Sequence, residues 1–252
     1  MMKSFINALG IFSKIKVKYT DWGENEGPGM MVCFPLVGLI CGLADIAAAF
    51  LLDLTGIDQG IKGMIMLFIL FTVCGFLHMD GFMDCADALL SSRDMEGKKR
   101  ILKDSNVGAF AVISAGLLLI SDYAAMSVIT SSFDSAFILL LLAPVASRSM
   151  GALFLFVFPE LETSGLLHYF RSGFQNKHIA ISAVYIVASI GLGILGGLRT
   201  FIALTAAAVV TLMFTIKANK ELGGINGDVI GACVIIFEAV SYLANAVLGG
   251  II

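Results

Sequence analysis

The sequence predicts an all-α fold: a polytopic transmembrane helical bundle of about seven spans (six to eight), with a cytoplasmic helical insertion between the second and third. Composition carries the first half of that reading. Of the 252 residues, 58% are hydrophobic and only 14% are charged, and mean hydropathy is +0.95. Soluble domains carry about 25% charged residues, so this chain lacks the polar surface of an ordinary globule. Patterning carries the second half, because the apolar residues fall into runs that reach the ~20 residues needed to cross a bilayer core as helix. No repeat, low-complexity tract or linker interrupts them, and residues 1–252 read as one membrane domain.

Residues 1–29 open the chain with apolar positions broken by Lys3, Lys14, Lys16 and Lys18. The stretch is too interrupted for a secretory leader, and it reads as a basic amphipathic segment on the cytoplasmic membrane surface. Apolar segments follow at 30–52, 63–77, 107–130, 136–158, 179–195, 201–216 and 229–251. The second and sixth are short for a full span, which predicts tilt or partial insertion there. The five cysteines sit mostly inside apolar runs without CxxC spacing, and they read as small buried hydrophobes. His168 and His178 are expected in loops.

Basic residues set the orientation. Thirteen of them fall in alternate connections: Lys3, Lys14, Lys16, Lys18, Arg93, Lys98, Lys99, Arg100, Lys103, Arg171, Lys177, Lys217 and Lys220. The opposite connections hold only Lys62 and Arg199. Such asymmetry places the basic side in the cytoplasm, with the N-terminus inside, in a multi-pass protein of the cell membrane.

The most unusual stretch is His78-Met79-Asp80-Gly81-Phe82-Met83-Asp84-Cys85-Ala86-Asp87, in the insertion at 78–106. Its carboxylates are spaced i, i+4, i+7, on one face of a helix. Three like charges beside a bilayer are costly unless a cation neutralises them. Hard oxygen ligands suit Mg²⁺, which binds through a few carboxylates, waters and substrate phosphates. The plainer alternative is a solvated acidic helix start favoured by the helix dipole. Downstream, Arg93 and Lys103 are placed to grip diphosphate oxygens, whereas Lys98, Lys99 and Arg100 read as a topology determinant near anionic headgroups.

Leu222-Gly223-Gly224-Ile225-Asn226-Gly227-Asp228 is a Gly-rich turn opening the last apolar segment. It suits an anion at a helix N-terminus, with Asp228 as a further metal ligand, or a tight turn with Asp228 as N-cap. Arg148 lies mid-span beside Pro144, and its expected partners are Asp45 and Glu238. Two other readings stay open from these residues. One is another Mg²⁺-dependent membrane phosphotransferase or prenyltransferase acting on a diphosphate. The other is an ion-coupled transporter using Arg148, Asp45 and Glu238.

The block at 78–87 resembles the HxDGxxDxxDG motif of the cobalamin synthases, the adenosylcobinamide-GDP ribazoletransferases. The likeness continues at Lys103-Asp104-Ser105-Asn106-Val107-Gly108, similar to KDSxxG, and at 222–232, similar to LGGxTGDxxGA. An FPLVG run at 34–38 also fits. Departures are Lys14-Ile15-Lys16 in place of an RIP element, Ala88 and Ala111 for glycines, and Asn226 for Thr. The resemblance implies transfer of the adenosylcobinamide phosphate moiety of adenosylcobinamide-GDP to α-ribazole or its 5′-phosphate, with GMP released. It implies Mg²⁺ on Asp80, Asp84, Asp87 and Asp228, and Asp104 or His78 as proton acceptor. Substrate contacts are expected from Arg93, Lys103, Ser105, Asn226, Gly227 and Arg148. Expected partners are those two substrates and the lipid bilayer, with no nucleic acid, and self-association as a homo-oligomer is compatible with the chain.

Overall fold

The computed structural model describes residues 1–18, 22–23, 26–161 and 165–251. The side chains of 132–136 are also outside what is described, as are residues 19–21 and 24–25 of the expected interfacial segment. Among the described residues eleven α-helices follow one another: α1 Met2–Phe12, α2 Gly27–Asp53, α3 Gln59–Cys74, α4 Leu77–Leu90, α5 Met95–Leu102, α6 Ala109–Ile129, α7 Phe133–Val157, α8 Gly165–Arg171, α9 Asn176–Leu192, α10 Leu198–Leu222 and α11 Gly227–Leu248. Among the described residues the only β pairing is an isolated bridge between Glu160 and Ile225. The all-α bundle expected from hydropathy is therefore the fold.

Among the described residues six helices are long and apolar enough to cross a membrane, namely α2, α6, α7, α9 with its 3₁₀ extension, α10 and α11. The second expected span differs. Helix α3 stops at Cys74, Gly75 adopts φ 77°, and the chain turns by 97° into α4. A side chain rarely tolerates that backbone conformation, so the lone glycine in an apolar run makes the corner. We read α3 as the short membrane segment and α4 as a helix laid across the end of the bundle. The sixth segment, expected to be short, is not: α10 runs 25 residues, because the helix-favouring Lys217–Leu222 stretch extends it past its apolar part. Lys217 and Lys220 thus lie on a helix, and so do His168 and His178, which sit in α8 and α9.

Helix α7 is the axis of the bundle and the most enclosed of the membrane-length helices. In lipid no hydrophobic force draws helices together, so close packing must do it. Gly38 and Gly42, one turn apart on α2, supply the close approach: a Cβ at Gly38 would lie 2.2 Å from the Pro144 carbonyl oxygen, and one at Gly42 2.8 Å from that of Leu140. The pair follows the small-xxx-small spacing that lets membrane helices approach closely. All five cysteines are buried thiols, as expected.

Several contacts gather one end of the bundle. Lys98 of α5 pairs with Glu221 of α10. The Leu161 amide donates to the Ile225 carbonyl at 2.8 Å. Helix α1 packs on α2 and buries Phe12 against Phe34, with ring centroids 4.3 Å apart. Beyond the corner, the Lys14 amide donates to the Val73 carbonyl at 3.1 Å, which pins the Lys14-Ile15-Lys16 segment to the end of α3. The first residues thus form part of the bundle end.

Candidate functional site

Helix α4 carries the acids, and its spacing does what the sequence implies. Asp80 is exposed, Asp84 half-buried and Asp87 buried. Helix α11 comes up against α4 at Gly81, where a Cβ would sit 2.8 Å from Asp228 Cα. Only a residue without a side chain lets Asp228 stand beside the acidic row. Asp84 then lies in the field of three other carboxylates, most strongly Asp228, then Asp80 and Asp87. Crowding of this kind is relieved by a proton or a cation.

The acids do not play equal parts. Asp87 accepts the Gly108 amide at 2.6 Å and the Ala111 amide at 2.9 Å, so it caps the N-terminus of α6 from 21 residues away. At the far end of the chain, Asn226 is the N-cap of α11, accepting the Val229 amide at 3.1 Å. Its amide also donates to Asp228 Oδ2 at 2.6 Å. The cap expected of Asp228 therefore belongs to Asn226, which holds Asp228 in place. Gly227 is exposed, with open space where a side chain would be.

Two openings lie at the two ends of α4. At its start, a pocket of about 260 Å³ is walled by Phe12, Phe34, His78, Leu167, Phe170 and Asp228, among others. At its end, a wide cleft of about 650 Å³ is lined by Asp87, Ser91, Arg93, Asp104 and Asn106. Arg93, Lys103, Asp104 and Ser105 are all exposed on this side. Asp104 accepts from the Asn106 backbone amide at 3.0 Å and from its side-chain amide at 2.7 Å. Those bonds hold its carboxyl below the usual range and make it a weaker proton acceptor. On the other flank, Lys14 and Asp80 line one shallow depression. Lys14 is a cation beside the acid row whose part only the fold reveals.

Two of the expected site residues lie inside the bundle. Arg148 is one of them. It is wholly buried, and its guanidinium pairs with Glu238 and donates to the Pro144 carbonyl at 3.2 Å and Ser147 Oγ at 3.0 Å. Of its two expected partners, only Glu238 is engaged, while Asp45 Oδ2 has no hydrogen-bond partner. His78 is only 4% exposed, and its ring packs to one side of the Phe12 and Phe34 pair, with centroids 6.2 and 5.6 Å away. Spacing puts it next to the acids in sequence, but the helix turns it into the bundle. It separates the apolar pocket from a second, small cavity of about 20 Å³ that Asp122, Arg148 and Glu238 also line. His78 Nε2, Asp122 Oδ1 and Arg148 Nε lack protein partners, and the cavity has the roughly 10–15 Å³ that one water requires.

Among the described residues, no group of three or more His, Cys, Asp or Glu side chains is arranged to hold a metal by itself. A cation that takes one or two carboxylates and completes its shell with water and ligand phosphates still fits exposed Asp80 and half-buried Asp84.

Comparison with known proteins follows the same residues. The cobalamin-5-phosphate synthase family model matches residues 4–246. The chain is 34% identical to the adenosylcobinamide-GDP ribazoletransferase of Clostridium perfringens strain SM101, over 98% of this chain and all of that one. It is 36% identical to the enzyme of that name from Clostridium botulinum strain Alaska E43, over 95% of both chains. With the Brevibacillus brevis enzyme of that name it shares 33%, over 96% of this chain and 97% of the other. No solved structure matches it.

Proposed function

The chain belongs to the cobalamin-5-phosphate synthase family, and from that membership and the layout of its bundle end we propose that it completes the nucleotide loop of cobalamin. The substrates are adenosylcobinamide-GDP and α-ribazole or its 5′-phosphate. A ribazole hydroxyl oxygen attacks the phosphorus that carries the cobinamide. The bond from that phosphorus to the GMP oxygen breaks, GMP leaves with the electron pair, and a phosphodiester remains. The observation that carries this reading is the acid row lying between an apolar pocket and a polar cleft, with Asp228 brought beside it.

The polar cleft suits the guanosine diphosphate portion. Arg93, with Lys103 and Ser105 on the same exposed segment, would neutralise or bond nonbridging oxygens, as phosphoryl transfer requires. Asp228 is the acid that borders the apolar pocket, and it takes the hydroxyl proton. Asp104, lowered by Asn106, and His78, buried against the Phe12 and Phe34 rings, are less suited to that task. Asp87 acts through α6, whose first turn it holds against the site.

Asp80 and Asp84 would hold Mg²⁺, whose chemistry is to draw charge from a diphosphate and its departing phosphate. The basic asymmetry of the connections supports a site facing the cytoplasm of the cell membrane, where nucleotides are available. The pairing of Arg148 with Glu238 in a nearly dry core favours phosphoryl transfer over ion-coupled transport.

The test is turnover. Purified protein in lipid, given adenosylcobinamide-GDP, α-ribazole and Mg²⁺, should release GMP and form the cobalamin product. Absence of GMP under conditions in which an established synthase works would sink the proposal.

A further inference from the structure

The apolar pocket at the start of α4 has a shape and chemistry that the reaction has not yet used. It lies beneath α1 and α8, which meet through Phe12 and Phe170 with centroids 5.6 Å apart. Helix α8 is held down from the other side, because Gly27 packs against the Tyr169 and Phe170 backbone and Tyr169 Oη donates to the Gly23 carbonyl at 2.9 Å. Three phenylalanines, Met31 and Leu167 line it with other apolar side chains, His78 adds an imidazole, and Asp228 and Gly227 stand at its margin. Gly227 leaves that margin open.

We propose that this pocket receives the uncharged aromatic base of the nucleoside acceptor, and that its lining sets which base the enzyme takes. The assignment rests on the ribazoletransferase reading. Size decides against the other substrate groups. At about 260 Å³ the pocket falls just below the ~300–1,000 Å³ of sites for whole small molecules, so it admits one fused bicyclic ring and no corrinoid. Polarity decides against phosphate or guanine edges, since no cation lines it and its aromatic walls offer ring faces to stack on. Position decides the orientation: with the base inside, the sugar emerges beside Asp228, on the acid row. One wall around the base comes from α1, α2 and α8, which hold none of the acid row, and the other from α4, α7 and α11.

Leu167 is the residue to change, because it lines the pocket from the short outer helix. Wild type, Leu167→Trp and Leu167→Ala would be purified in lipid discs. Binding of α-ribazole alone would be followed by its benzimidazole fluorescence, and KM for each substrate by GMP release. Filling the pocket with Trp should weaken α-ribazole at least about tenfold and leave the KM of adenosylcobinamide-GDP within about twofold. Enlarging it with Ala should raise the relative affinity for an α-ribonucleoside of the wider naphthimidazole. Equal α-ribazole binding by all three proteins would overturn the assignment, and a lipid chain occupying the pocket would give that result. If wild type binds α-ribazole and the Trp variant does not, yet neither makes GMP, the pocket stands and the reaction falls. If GMP forms and binding is unchanged, the reaction stands and the pocket falls.

Discussion

Asp87 accepts the Gly108 amide at 2.6 Å and thereby seats the first turn of α6 on the acidic helix. The residue is one of three acids at regular spacing, yet its carboxylate is turned to the protein's own backbone, with Ala111 as its second donor. Charge at the positive end of a helix is stabilising in itself. Asp87 is thus scaffold, and Asp80 and Asp84 are the acids of the row left for the proposed site.

Removing the two roles should separate them. Asp87→Ala leaves two amides of α6 without their acceptor and should lower unfolding stability by about 1–2 kcal/mol. Asp84→Ala removes like-charge crowding and should leave stability unchanged or raised. Thermal unfolding of both variants in the same detergent checks this. Equal losses would mean that Asp87 is no more structural than Asp84.

Asp84→Asn keeps the shape of the side chain and removes its charge. It should insert and fold as wild type does, while GMP release falls at least about a hundredfold, as expected when a group acting in the transition state is lost. Normal turnover would remove Asp84 from the reaction.

Metal dependence gives a third test. After chelation the protein should lose turnover and regain it with Mg²⁺. Asp80→Asn should raise the Mg²⁺ concentration needed for half-maximal rate, because one of two proposed oxygen ligands becomes neutral. Full activity after exhaustive chelation would contradict the proposed pair.

The Arg148–Glu238 pair predicts a different pattern. Breaking it with Glu238→Gln leaves a buried guanidinium uncompensated and should cost about 3–5 kcal/mol. Replacing both with methionines should recover much of that loss, since two apolar groups need no partner. Unfolding measurements on the single and double variants form the cycle. A double variant as unstable as the single ones would show that the pair contributes through its bonds to Pro144 and Ser147.

Much of this was legible from residue order. Hydropathy gave the helices, i, i+4, i+7 spacing gave the acid row, and the Gly-rich turn marked the approach of Asp228. Spacing within one helix does not reveal what packs on each face, however. His78 follows the bend at once, and only the 97° turn shows that its ring enters the bundle. Asp87 could not be told from Asp84, because its partners are separated from it by a second helix, α5. The part played by Lys14 depends on Gly75 turning the chain. The Arg148 partner was half legible: intramembrane charge demands a counter-charge, and geometry chose Glu238 over Asp45.

The contact of Gly81 with Asp228 also has a bearing on how the protein is made. Nearly 150 residues of synthesis separate the two. A nascent chain emerging from the ribosome holds its acid row long before the final helix exists to complete it. On the role proposed for Asp228, a chain made only as far as α10 lacks the group that takes the hydroxyl proton, and activity waits for the last segment.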